Sequence, residues 1–153
     1  MAKPLEIFLF NGCRSAICER TYDIVLPLLH DISMALSEIA SKIPEREINV
    51  VISGGRTIRG MNRRFRKIDS ATDVLSFPMD GAVLGEVWLC PSEVEKNARA
   101  YDQDFETELV RVLVHGVLHL LGYDHTGHFG KRDSTKEPMF EIQETIVTAL
   151  RRV

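Results

Sequence analysis

The chain has 153 residues, 44% of them hydrophobic and 27% charged, with a formal net charge of −3. These values fit one soluble domain built around one core and exclude a disordered chain. A weakly acidic protein has no global attraction for nucleic acid, so any such affinity must come from a local basic patch.

The opening residues contain no apolar run long enough for a signal peptide or a membrane span, and the expected compartment is the cytoplasm. Leu5 to Phe10 reads as a strand. From Thr21 to Ile43, apolar residues at Ile24, Val25, Leu28, Leu29, Ile32, Leu36 and Ile39 fall on one face of a long amphipathic helix. Pro27 marks either a kink in that helix or its true start. Three cysteines, Cys13, Cys18 and Cys90, contain no C-x-x-C pair and are expected to be free thiols.

Ile48 to Ile52 is a short β-branched run, ended by Gly54-Gly55, and a helix is expected over Arg56 to Arg66. Asp73 to Phe77 and Gly85 to Leu89 are strands joined by a turn near Pro78-Met79-Asp80-Gly81. Pro91-Ser92 opens a helix running to about Tyr101. Phe105 to Leu121 has the strongest helical pattern, and Ser134 to Arg152 reads as a closing helix with Pro138 in its first turns. The order predicts an α+β fold: a small mixed four-stranded sheet covered by about five helices, forming a single domain over residues 1–153.

The chemistry concentrates between His115 and His125. His115 and His119 stand four apart on the predicted helix, so both imidazoles point the same way and can grip one metal ion. Gly122 suits the left-handed conformation of a helix C-cap, after which the chain can fold back and bring His125 to the same ion. Three neutral imidazoles suit zinc, although copper, nickel and iron also accept them. Three protein ligands leave one position open for water, as in catalytic zinc sites, and zinc lowers the pKa of that water to about 7. The bland alternative, a buried helix that happens to carry histidines, would need a separate set of hydrogen-bond partners for each ring. The metal site is therefore expected on a helix and the turn after it. His128 could replace His125 or add a ligand, but its glycine-flanked position favours an exposed loop histidine. Asp124 is either an orienting or proton-accepting neighbour of a ligand or an ordinary turn aspartate.

The spacing H-x-x-x-H-x-x-G-x-x-H matches the metzincin proteases except at one position. Those enzymes place a glutamate directly after the first histidine as general base, and this chain has Gly116 there. A second constellation points elsewhere. Arg56, Arg59, Arg63, Arg64, Arg66 and Lys67 put six positive charges into twelve residues with no acidic residue among them. A charge run alone is usually a solvated helix face. Beside a metal site it makes phosphodiester hydrolysis plausible, because the arginine fork suits phosphate oxygens.

Two blocks carry a resemblance. One is Met61-Asn62-Arg63-Arg64-Phe65-Arg66-Lys67-Ile68-Asp69-Ser70-Ala71-Thr72-Asp73-Val74-Leu75-Ser76-Phe77-Pro78, and the other is the histidine block ending Gly122-Tyr123-Asp124-His125. With Gly85-Glu86-Val87 between them, the sequence from about Val50 onward resembles the bacterial YbeY family of metal-dependent endoribonucleases involved in ribosomal RNA maturation. Ala71 departs from the family's usual proline, and the segment from Thr126 to Lys136 is longer or looser than the family's. The resemblance implies that His115, His119 and His125 ligate the metal and that Arg66 is the essential arginine, facing the metal across a cleft. It implies a single-stranded RNA substrate, including the 3′ end of small-subunit ribosomal RNA, and ribosomes or their precursors as partners. Arg59, Arg63 and Arg64 are further candidates for holding RNA phosphates. The general base stays open between Asp124, Glu86 and Asp73. Two rivals stand beside this reading: a zinc peptidase with an unusual base, and a metal-dependent ribosome-assembly factor that binds RNA without cutting it.

Overall fold

The computed structural model describes residues 5–41, 47–123 and 138–151. Its sheet has four strands, β1 (Glu6–Asn11), β2 (Glu47–Ile52), β3 (Val74–Pro78) and β4 (Val83–Leu89), in the order β1-β2-β4-β3. β1, β2 and β4 run parallel, while β3 pairs antiparallel with β4 and forms one edge. The turn expected at Pro78–Gly81 joins them, with Gly81 at φ +111° and the Met79 N–H bonded to the Leu84 carbonyl at 3.0 Å. The mixed four-stranded α+β arrangement is the one the sequence predicts.

The helices are α1 (Ala16–Val25), α2 (Leu29–Ala35), α3 (Ser37–Ala40), α4 (Gly55–Arg66), α5 (Pro91–Ala100), α6 (Phe105–Leu120) and α7 (Pro138–Leu150). The expected single helix over Thr21 to Ile43 is divided. It starts earlier, where the Ser15 hydroxyl accepts the Cys18 N–H as an N-cap. Pro27 then forces a short 3-10 turn over Leu26–Leu28, and Leu36 breaks the helix again at ψ 0°. This division is why seven helices occur among the described residues instead of about five. The part of the closing helix expected before Pro138 lies outside the described residues. The three cysteines are free thiols.

Alternation along β2 and β4 sends Ile48, Val50, Val87 and Leu89 to one face of the sheet, where they share one core with α6 and with Val25 and Ile32 of α1 and α2. α6 buries apolar side chains around most of its circumference, so it is the core helix rather than a surface one. The opposite face carries a smaller cluster, in which Ile58 of α4 packs with Leu75 and Cys90 beside Phe77 and Trp88. β3 therefore faces α4 through Leu75 and Phe77, and α6 through Val74 and Ser76.

Candidate active site

α6 approaches the sheet closely at Gly116. A Cβ there would stand 2.8 Å from Val87 Cγ1, 3.1 Å from Val74 Cγ2 and 3.2 Å from Ser76 Oγ. The Ser76 hydroxyl donates to the Gly116 carbonyl at 2.9 Å, tying β3 to the helix between its two histidines. The residue after His115 thus faces the sheet and has no room for a carboxylate side chain.

His115 and His119 flank this sheet contact on α6 and line a cleft together with β3. Their rings meet edge to face with centroids 4.6 Å apart, and their Nε2 atoms are 3.1 Å apart. The tautomer of His115 follows from its neighbours. The Gln143 Nε2 donates to Glu144 at 3.0 Å, so Gln143 Oε1 is the atom that faces His115 and accepts from Nδ1–H at 2.7 Å. The proton is on Nδ1, and the lone pair is on Nε2, the atom turned toward His119. Two imidazole nitrogens bound to one zinc at tetrahedral geometry stand about 3.3 Å apart. The observed separation fits a pair of ligands sharing one ion, and the donor set is one that a borderline-soft cation takes.

The support behind His115 continues outward. Glu144 accepts two bonds from Arg111, at 2.9 and 3.1 Å, and Arg111 also reaches Glu108 at 2.8 Å. Burial on its own raises the Glu144 carboxyl, but the bonds from Arg111 and Gln143 more than offset this and hold it below the usual glutamate range. The bonds from Glu144 and Glu108 in turn raise Arg111. Sequence reading missed this network. A signal was present: Gln143 is polar in the stripe Met139, Gln143, Ile146, Val147 that α7 buries.

α6 ends as the glycine predicts. Gly122 has φ +100°, its N–H reaches the His119 carbonyl at 3.1 Å, and the Tyr123 N–H reaches the Leu118 carbonyl at 3.0 Å. This paired closure is a Schellman motif, and it turns the chain back at Tyr123. His125, with Asp124 and His128, lies outside the described residues. Among the described residues no group of three metal-ligating side chains forms.

Across from the histidines, α4 ends at Arg66, and Lys67 reverses the chain at φ +62°. The Asn62 amide donates to the Ser70 carbonyl at 2.9 Å and fixes the segment that leads into β3. Arg66, His115 and His119 line one cleft of about 1160 Å³, whose walls are β3, the end of α4, α6 and Gln143 of α7. Arg66 has no acidic partner within ion-pair distance among the described residues. Arg59, Arg63 and Arg64 are not among the cleft-lining residues. Arg59 grips Asp69 with two bonds, at 2.9 and 3.3 Å, Arg63 approaches the same carboxylate at 3.9 Å, and Arg64 lies over the Phe65 ring. Of the carboxylates weighed as general base, Asp73 lines the cleft and accepts from Thr72 and Asn97. Glu86 lies on the α4 face of the sheet, where it accepts from the Trp88 indole at 3.1 Å.

A family model described as Endoribonuclease YbeY matches residues 19–151. The chain belongs to the YbeY family. The Endoribonuclease YbeY of Thermotoga neapolitana is 43% identical over 122 residues, covering 76% of this chain and 79% of that protein. The Endoribonuclease YbeY of Sulfurimonas denitrificans is 38% identical over 118 residues, covering 73% of this chain and 85% of its own length. A solution structure of a Thermotoga maritima protein superimposes with a TM-score of 0.56 at 33% identity, covering 92% of this chain and 86% of that one. The YbeY match takes in α4, β3, α6 and α7, which are the elements that build the cleft. No described helix is long and apolar enough to cross a membrane.

Proposed function

We propose that this member of the endoribonuclease family cuts single-stranded RNA in the cleft between Arg66 and the histidine pair, with one zinc or similar divalent ion bound by His115, His119 and His125. The observation that supports the reading is that Arg66 at the end of α4 and two ligand-spaced histidines of α6 line the same cleft. A bound ion supplies Lewis-acid polarisation of a phosphoryl oxygen and activates a nucleophile at neutral pH.

The chain's own residues do the rest. Arg66 presents a planar fork of N–H donors, holds two oxygens of the scissile phosphate and stabilises the charge that develops on them. Gln143 holds the His115 ring in one tautomer, with the Nε2 lone pair left for the ion. Asp73, on the cleft wall, is a carboxylate to which a proton can pass, while Glu108 on the same cleft is engaged by Arg111. The nucleophile is water or the RNA's own 2′-hydroxyl, and the two leave different ends, since only the second gives a cyclic phosphate. The substrate we infer is ribosomal RNA, including the 3′ end of the small-subunit molecule. The partners are ribosomes or their precursors, and the compartment is the cytoplasm. The lack of space at Gly116 weighs against a peptidase with its glutamate base after the first histidine.

The test offers the metal-loaded protein one RNA as a single strand, the same RNA as a duplex, and an unfolded polypeptide. Cleavage of the single strand alone is expected, lost on chelation and restored by added zinc. Cleavage of the polypeptide would replace this reading with the peptidase. Salt-dependent RNA binding with no cut in any substrate would replace it with the assembly factor.

A further inference from the structure

Phe65 sits one residue before Arg66 on a helix whose other exposed side chains are mostly cations, yet the residue is 56% exposed. Leaving so large an apolar group in water is unfavourable, and only part of it is repaid by the contacts it makes. The ring is nonetheless held in one attitude. Phe77 of β3 meets it edge to face, with centroids 5.3 Å apart and planes at 67°, and the Arg64 guanidinium stands 5.2 Å from its centroid. Phe65, Phe77 and the half-exposed Ile68 line the same cleft as Arg66 and both histidines. A fixed aromatic face beside a guanidinium is what an unpaired nucleotide needs, a surface for the base and a fork for its phosphate.

We propose that Phe65 is a base-stacking subsite, on which an unpaired nucleobase of the bound strand lies while a neighbouring phosphate meets Arg66. The proposal rests on the RNA reading above and names how that substrate is held. Arg64, which is exposed, moves off the ring as the base takes its place. Stacking tolerates every base, since each has a π face, so the subsite selects for unpaired nucleotides rather than for a sequence. A duplex cannot use it without losing a base pair. A peptide would gain an apolar contact at Phe65 but little from the surrounding arginines.

The test measures binding by fluorescence anisotropy of a short 2′-O-methyl single strand, with the metal-loaded protein and with Phe65→Ala and Phe65→Trp, after thermal melts show that all three are folded. A second set of strands carries one abasic nucleotide at successive positions. For the parent, removing one base at a single position is expected to weaken binding about tenfold. Phe65→Ala should weaken the intact strand by a similar factor and erase the penalty at that position, and Phe65→Trp should restore it. In cleavage of ordinary RNA, Phe65→Ala should raise KM with kcat held within about twofold. If the parent binds and cuts RNA but Phe65→Ala binds as tightly, or keeps every abasic penalty, the stacking proposal falls and the nuclease reading survives. If the parent neither binds nor cuts RNA but takes an unfolded polypeptide, both fall together.

Discussion

Gln143 Oε1 lies 2.7 Å from Nδ1 of His115, and this bond joins α7 to the histidine helix at the cleft. It fixes which nitrogen of His115 carries the proton, and the Glu144–Arg111 pair behind it fixes the amide. Gln143→Leu keeps the size and the apolar stripe but removes the acceptor. Metal affinity should fall by about 10- to 100-fold, the range found when such supporting partners are lost, with little change in thermal stability. Zinc titration against a competing chelator measures it. An unchanged affinity would show that the tautomer is not held from α7.

Glu144 is held below the usual glutamate range, so the sign of its pH effect is fixed. Its contribution to stability is complete above the ordinary glutamate pKa of about 4.3 and is lost as pH falls through the lower native value. Glu144→Gln should therefore destabilise the protein at pH 7 and flatten the fall in stability on the acid side. Urea unfolding from pH 7 down to pH 3 reads both effects.

At Gly116 two effects compete. Alanine gains about 1 kcal/mol of helix propensity, but its Cβ meets Val87 Cγ1 at 2.8 Å, and overpacking of this kind costs about 1–3 kcal/mol. The second effect wins, because Val87 is itself buried in the sheet and cannot retreat into solvent. Gly116→Ala should lower stability by about 1 kcal/mol, and Gly116→Glu should not fold. Introducing a metzincin-like glutamate here should thus yield no peptidase. Recovery of a folded, protein-cutting Gly116→Glu variant would contradict the packing seen at this position.

The basic run divides in structure, and activity is expected to divide with it. Arg66 lines the cleft, whereas Arg59 is held by Asp69. Arg66→Lys keeps the charge but loses the fork, and kcat on RNA should fall by roughly 10²–10³, the usual cost of removing one preorganised donor to developing charge. Arg63→Ala should leave kcat within a few-fold. Steady-state kinetics on one RNA compares the two.

The sequence carries the architecture where patterns are strong and local. The short β-branched run Ile48 to Ile52 marks β2, and the glycine after Leu121 marks the end of α6 down to its φ value. The i, i+4 histidine pair is legible for the same reason, since one turn of helix sets its geometry. What depends on distant packing is not legible. Nothing near Arg59 shows that Asp69 will claim it, because that pairing needs the left-handed turn at Lys67. Gln143 meets His115 only because α7 packs on α6, at a sequence separation of 28 residues. The division of the N-terminal helix was half visible: Pro27 announces a break, but the second break at Leu36 has no proline or glycine to signal it.

The most direct measurement is cleavage of a labelled single-stranded RNA by the purified protein, beside Arg66→Ala and His119→Ala prepared identically. The account predicts that the parent cuts and that both variants, still folded, lose nearly all activity, because each removes one of the functional side chains lining the same cleft. His119→Ala should also lose zinc affinity, and Arg66→Ala should keep it. Equal cutting by all three would trace the activity to a contaminant, and a parent that binds zinc and RNA without cutting would contradict the central claim.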